Sequence, residues 1–489
     1  MSKHTLARKA LFAAVGTLLL LSGIFFTEYN HYIGALVLVM GSAILYFVTV
    51  FLASDRDYLD ICAVFTLIWL MTIGLSQLWL LKYQEPWISK TWVCVALAYA
   101  AFQAGGMTGQ YWGIRCTAGK GERRKPRRGI FHIAQNNKRL YLCCTIGTLI
   151  GLACFCINIG IRGYVPFFSS SSTAYVDFYT RFHVFATAGT MLSGPCYYCA
   201  KACDLKKYQK AILYLCILYN TFAFPILVVS RGTFIVAAIS LSCAIYYLNR
   251  KSLWLLLASL VVMFAVYGLC SVARNYTEAQ LNALFQPAEI TISSSGSEID
   301  VLEGDSNGSL TADDLQTSGE DGITFSLSGQ EAFLYSYLTV SHDNFNQAVK
   351  YSQSYTYGLR QLRPFNVILR SSYIEETLDN AEEYLVRPYL NTVNLIGDAY
   401  YDFHTIGVIL LPFLWALAFG IIQGAYLTTN SPYLLQALGN IVAVVMLSFF
   451  SGWMGVFSTW MHWGVALLFF LISGISVSRN KDTQEEQTQ

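Results

Sequence analysis

Apolar runs of about 18 residues or more recur from end to end of this 489-residue chain, and each is long enough to cross a bilayer core as a helix. Charged residues make up only 13% of the chain and hydrophobic ones 55%. A soluble protein of this length normally carries roughly twice that charged fraction. The expected fold class is therefore an all-α polytopic membrane protein, with about 12 transmembrane helices and a large external loop subdomain between helices 9 and 10.

Twelve spans give a self-consistent map: 10–27, 33–53, 58–81, 89–111, 140–160, 182–200, 211–229, 232–248, 252–272, 405–427, 433–451 and 459–477. With a cytoplasmic N-terminus, every basic cluster falls inside, as the positive-inside rule requires. These clusters are 115–139 with its RRKPRR run (123–128), Lys201 to Lys210, Arg250 with Lys251, and Arg479 with Lys481. Both termini are then cytoplasmic. A topogenic loop explains RRKPRR with fewer assumptions than a nucleic-acid or anionic-lipid patch, so no nucleic-acid partner is expected. The first run, Ala10 to Phe26, follows Lys3, Arg8 and Lys9 and meets no A-x-A site before the next run. It reads as a retained signal-anchor helix.

The map divides the chain into membrane helices 1–9 (residues 1–272), an external loop (273–404), and helices 10–12 with a cytoplasmic tail (405–489). Within the loop, 290–322 is acidic, Ser/Gly-rich and nearly free of aromatics, which reads as a flexible insertion. Residues 330–390 are rich in tyrosine and arginine with helical apolar spacing and read as an ordered helical part. Their aromatics suit packing and interfacial anchoring, or stacking on sugar rings. The 13 cysteines lie mostly in or beside apolar runs and read as free thiols buried as small hydrophobes. Cys196-Tyr-Tyr-Cys199 has metal-like spacing but no second pair, and no metal is expected.

An ionisable residue at the edge of an apolar span is costly and marks a protein interior or water. Arg231 interrupts PILVVSRGTFIVAAISL (225–241). The charge map turns that run into two helices with an external corner at Ser230 to Gly232. A guanidinium offers a permanent charge and a planar donor fork suited to phosphate oxygens; snorkelling to lipid headgroups or capping the preceding helix remains open. Asp398, Asp402 and His404 crowd the mouth of the tenth span. Asp402 or His404 could deprotonate a sugar hydroxyl, and Asp402 could equally cap a helix N-terminus. Arg360, Arg363 and Arg370, with Arg162 in the loop after the fifth span, suit an anionic lipid-linked substrate or salt bridges to Glu375, Glu376, Glu382 and Glu383.

Three stretches resemble the bacterial O-antigen and capsule repeat-unit polymerases of the Wzy type. SRGTF (230–234) is similar to that family's S-R-G signature, IRGYVPFF (161–168) to its G-x-x-P loop, and YDFHTIGVILLPFLWALAFG (401–420) to its D-F-G-x-x-G stretch. The loop YLTVSHDNFNQAVKYSQSYTYGLRQLRPF also resembles the region before that stretch. His404 departs from the pattern, standing at the first glycine of D-F-G, so a close backbone turn is not implied there. The resemblance implies a glycosyltransferase with a polyprenyl-diphosphate donor, joining oligosaccharide repeat units at the outer face of a bacterial cytoplasmic membrane. It implies inverting, metal-independent transfer without a cofactor, with membrane lipid, a flippase and a chain-length regulator as partners. Arg231 and Arg363, then Arg360, Arg370 and Arg162, would bind the diphosphate; Asp402 or His404 would be the base. An O-antigen-ligase-like transferase, or a lipid-linked oligosaccharide flippase or transporter, is the alternative.

Overall fold

The computed structural model describes residues 3–117, 131–133, 137–169, 177–178, 180–249, 252–259, 261–262, 284–285, 287–292, 323–388 and 390–477. RRKPRR, Arg250, Lys251, Arg479, Lys481, most of the acidic insertion and the end of the ninth expected span lie outside them.

The first half of the chain forms α1 (Lys3–Tyr29), α2 (His31–Leu52), α3 (Ile61–Ser76), α4 (Ser89–Thr117) and α5 (Asn137–Arg162). Next come α6 (Arg181–Thr190), α7 (Ser193–Ala202) and α8 (Lys207–Leu218), which runs through a π turn into α9 (Phe224–Val228), followed by α10 (Arg231–Leu248). After the loop region, α11 (Gly329–Tyr351) leads to three short helices, α12 (Leu359–Leu362), α13 (Asn366–Leu369) and α14 (Ser372–Asp379). The chain closes with α15 (Leu395–Thr429), α16 (Pro432–Leu447) and α17 (Phe457–Phe469). Two short antiparallel ribbons are added, β1 (Phe131–Ile133) with β4 (Ile475–Val477) and β2 (Glu289–Ile292) with β3 (Ile323–Ser326). Six described helices are long and apolar enough to cross a bilayer, over 5–29, 31–52, 137–162, 207–228, 231–248 and 395–429; three shorter apolar helices cover 61–76, 432–447 and 457–472. This is an all-α polytopic membrane protein.

Two expected boundaries differ. The sixth span, expected as one helix over 182–200, breaks between Thr190 and Ser193. Pro195 lies in the first turn of α7, where its missing N–H is harmless, whereas in an unbroken helix it would remove a bond and clash with the preceding turn. The tenth span starts at Leu395 rather than near 405, where Asn394 accepts the Gly397 N–H at 2.9 Å. Its backbone leaves helical geometry at Phe403 (φ −144°, ψ 21°) and His404 (φ 47°, ψ −137°), so a short helix precedes the long one.

The closest seam in the bundle joins α4 to α15. A Cβ added at Gly105, Gly109 or Gly113 would fall inside van der Waals contact of the carbonyls of Phe413, Leu417 and Ile421. Gly420 and Gly424 stand in the same relation to the α4 carbonyls of Gly106 and Gln110. Small residues at four-residue spacing let helix backbones approach where no water drives them together.

Near the end carrying the short 53–60 connection, Lys9 is buried and paired with buried Asp60, and its Nζ donates to Gln110 Oε1 at 2.6 Å. Asp60 also caps α3, accepting from Cys62 N and Ala63 N, and Gln423 donates to Leu59 O at 3.1 Å. One polar knot thus ties α1, α3, α4 and α15 together. At the opposite end α9 stops on Val229, which adopts a left-handed φ of 56°, and Ser230 caps α10, its side chain accepting from Thr233 N. The corner therefore forms immediately before Arg231.

Candidate active site

The loop segment 329–388 is fastened to one end of the bundle by a polar stripe on α11, SHDNFN (341–346). Every polar residue in it is buried, a cost met only if each finds a partner. Ser341 donates to Phe450 O at 2.5 Å, Asn344 to Leu390 O at 2.6 Å, and Asn346 accepts from Thr91 Oγ1 at 2.7 Å. Asp343 accepts from Gln84 Nε2 at 3.0 Å and Trp87 Nε1 at 3.2 Å. Burial pushes its carboxyl up to about 7 against the pull of those two donors. His342 lies between Thr72 (2.9 Å from Nε2) and Asn394 (3.3 Å from Nδ1), and burial pushes its imidazole down to about 3. It is a neutral, satisfied core histidine.

Asp402 holds the next segment. It has no exposed surface, and its Oδ1 accepts from Thr356 Oγ1 at 2.6 Å, Gly358 N at 3.1 Å and Arg360 N at 3.2 Å. Thr356 N also donates to Tyr401 O at 3.0 Å. A carboxylate sealed from solvent and accepting three hydrogen bonds on one oxygen is a clamp on the 356–360 turn. Asp402 Oδ2 and Arg360 Nε are buried without a hydrogen-bond partner among the described residues.

Arg360 is 6% exposed. Its Nη1 lies 2.8 Å from Glu383 Oε1 and 3.7 Å from Asp398 Oδ1, and the guanidinium stacks 4.1 Å from the centre of the Tyr401 ring. The Asp398 side chain is 18% exposed, so it reaches solvent where Asp402 does not. A Cβ at Gly452 would collide with its Oδ2; glycine there lets the carboxylate rest on the backbone of the α16–α17 connection.

Around His404 the backbone turns sharply despite the absent glycine. A φ of 47° with a ψ of −137° is a region other residues rarely occupy, at a cost of order 1–3 kcal/mol. The ring is sandwiched between Tyr400 (4.7 Å, 10°) and Tyr355 (4.1 Å, 24°). Its Nε2 lies 3.3 Å from Ser354 O. A carbonyl only accepts, so Nε2 carries the proton and Nδ1 is the basic nitrogen.

Arg231 is buried, its guanidinium 5.1 Å from the Phe333 ring centre and 5.4 Å from that of Tyr337, with Nη2 3.3 Å from Tyr337 Oη. Phe450 stacks on the other partner, Tyr337, at 5.1 Å and 12°, and Trp453 lies 3.7 Å from where a Cβ on Gly232 would be. The 450–453 stretch thus touches the Arg231 corner through Tyr337 and Gly232, and Asp398 through Gly452. The structure brings Arg360 together with Asp402 and Asp398, packs His404 against Ser354 and Tyr355 on the preceding residues of the same loop, and sets Arg231 across the 450–453 connection from Asp398. Arg363 is exposed one residue beyond α12, and Arg370 is exposed with a left-handed φ of 51°. Arg162 is exposed at the end of α5, and the turn at Pro166–Phe168 that follows packs on α9, which leads into Arg231. The sequence reading did not single out Phe450, Gly452 and Trp453. Their signal is slight: two glycines around a tryptophan in a short connection on the same side as Arg231.

A model of the family described as "Putative O-antigen polymerase" matches residues 58–313, 256 of the 489 residues. The matched stretch contains the Arg162 loop and the Arg231 corner. No curated protein and no solved structure matches the chain. With its family model spanning more than half of a chain built as a polytopic helical bundle, this protein belongs to the O-antigen polymerase family.

Proposed function

We propose that the protein is a polysaccharide polymerase joining polyprenyl-diphosphate-linked oligosaccharide repeat units at the outer face of a bacterial cytoplasmic membrane, by inverting, metal-independent transfer. The observation that carries this reading is the 450–453 connection, which touches both the corner bearing a buried guanidinium, Arg231, and the mostly buried carboxyl of Asp398. That connection sets a cation suited to a departing diphosphate against the head of α15, the helix segment that carries Asp398 and, six residues on, the candidate base His404.

The acceptor hydroxyl oxygen bonds to the anomeric carbon of the growing chain, the bond from that carbon to the diphosphate oxygen breaks, and the hydroxyl proton passes to His404 Nδ1. Arg231 and the exposed Arg363 offset the charge on the departing diphosphate, the electrostatic stabilisation such a leaving group needs. Arg370 and Arg162 extend the positive rim. Arg360 holds Asp398 and Glu383 in place, and Asp402 orients the segment that carries Arg360. Two membrane-bound substrates held in register save the entropy of a bimolecular encounter. Flippase and chain-length regulator proteins would supply the units and limit the product.

Purified protein in liposomes supplied with the polyprenyl-diphosphate repeat unit should make a ladder of longer lipid-linked glycans. Arg231→Ala, inserted at unchanged levels, should slow ladder growth about 10²-fold or more. Full activity in that variant removes Arg231 from the mechanism. Translocation of the unit without chain growth makes the protein a flippase, and transfer only to an outer-membrane lipid makes it a ligase.

A further inference from the structure

The stretch YSQSYTYG (351–358) is unused by the mechanism above, yet its geometry is unusual. Tyr357 is 75% and Tyr355 44% exposed. Their rings stack on each other at 5.7 Å and 28°, Tyr355 stacks on His404, and His404 on buried Tyr400. Four rings therefore run as a ladder from the packed end of α4, where Lys90 donates to Tyr400 Oη at 2.8 Å, out to the open face of Tyr357. The backbone that presents this face is strained, since Tyr357 has a φ of 50° and Gly358 one of 85°. A tyrosine persists there only where neighbours over-determine the turn. The neighbours are the hydrogen bonds of Asp402 to Thr356, Gly358 and Arg360.

We propose that Tyr355 and Tyr357 form a stacking subsite for the sugar rings of the acceptor oligosaccharide, beside His404. The proposal rests on the polymerase reading and names the part of the site that the acceptor occupies. A pyranose presents a face of polarised C–H bonds, and the face of an aromatic ring carries the complementary negative quadrupole. The other exposed residues of the stretch are Gln353, Ser354 and Tyr351, which offer hydrogen bonds to sugar hydroxyls. The ladder also leads to the chemistry: only the Tyr355 ring separates Tyr357 from the imidazole assigned as base, so an acceptor with one sugar on the outer face can bring its next sugar towards that imidazole, and the Asp402 clamp fixes the 356–360 turn that carries Tyr357 and Arg360.

The probe is the lipid-free repeat-unit oligosaccharide, released by mild acid from the host's own lipid-linked intermediates. Lacking the diphosphate, it can act only as an acceptor. With full-length protein in nanodiscs, saturation-transfer NMR should show contact to the C–H protons of its sugar rings for wild type and for Tyr357→Phe. In Tyr357→Ala and Tyr355→Ala the affinity should fall about tenfold. Tyr357 is largely in solvent, so its replacement opens no cavity. No transfer to wild type, or unchanged binding in both alanine variants as a lipid anchor would give, overturns the proposal. Equal loss in Tyr357→Phe also overturns it, because the hydroxyl and not the ring face would then be recognised. If alanine variants lose binding while wild type makes no glycan ladder, the subsite stands and the polymerase reading fails. Ladder growth with binding indifferent to both tyrosines gives the reverse.

Discussion

His404 carries the sharpest residue-scale contradiction in the molecule. The D-F-G resemblance places glycine at this position, and a histidine there does not imply a close turn. The backbone nevertheless adopts φ 47° and ψ −137°, a glycine conformation occupied by an imidazole. A strained position kept for a titratable ring is where function is expected to outweigh stability. His404→Gly should therefore be more stable than His404→Ala by about 1 kcal/mol, since both lose the ring stack but only glycine relieves the backbone. Both should lose chain growth by 10²-fold or more if Nδ1 is the base. Thermal midpoints in detergent and the liposome ladder assay read the two effects separately. Asp402, by contrast, was equally readable as base or helix cap, and its three donors to one oxygen make it the clamp of a turn 42 to 46 residues earlier in the chain. No local pattern reveals such a partner.

Among the elements, α4 and α15 form the pair on which the rest is hung. Their seam is legible in hindsight as glycines at 105, 109 and 113 facing glycines at 420 and 424, though a reading of spans by hydropathy passes over small residues. Gly109 faces the Leu417 carbonyl with no room for a side chain. Gly109→Ile should separate the two helices and collapse the yield of monodisperse protein in size-exclusion chromatography. Gly464, which has nothing within 4 Å of an added Cβ, is the control: Gly464→Ile should leave the profile unchanged. Breaking the seam would also displace the site, because Asp398, Asp402 and His404 all stand at the head of α15.

For the whole molecule, the two ends of the bundle are built on different principles. One end is closed by Lys9, Asp60, Gln110 and Gln423, a buried polar knot joining the first helix to three others. Lys9→Met leaves Asp60 as an uncompensated buried charge, which is destabilising by about 3–5 kcal/mol. Lys9→Met combined with Asp60→Asn should recover most of the loss, because the asparagine can still cap α3. A thermal-shift series on the two single variants and the double tests this; equal destabilisation of single and double variants would show that the charge is not what matters. The other end carries the loop segment, the arginines and the ring ladder, and its polar groups are fixed by side chains reaching across 40 to more than 250 residues of sequence, as in Asn344 to Leu390 and Thr91 to Asn346.

The sequence by itself determined that this chain lives in a bilayer as a helical bundle, and where its Arg231 corner falls. Hydrophobic length and the spacing of charges are local quantities, and the membrane reads them locally. Only the tertiary structure decided which carboxyl is fully sealed and which keeps some solvent contact, which nitrogen of His404 faces the Ser354 carbonyl, and that the 450–453 connection touches both Asp398 and the Arg231 corner. Those are properties of contacts between distant segments, set by close helix packing and by the need of every buried polar group for a partner, and neither leaves a periodic trace in the chain.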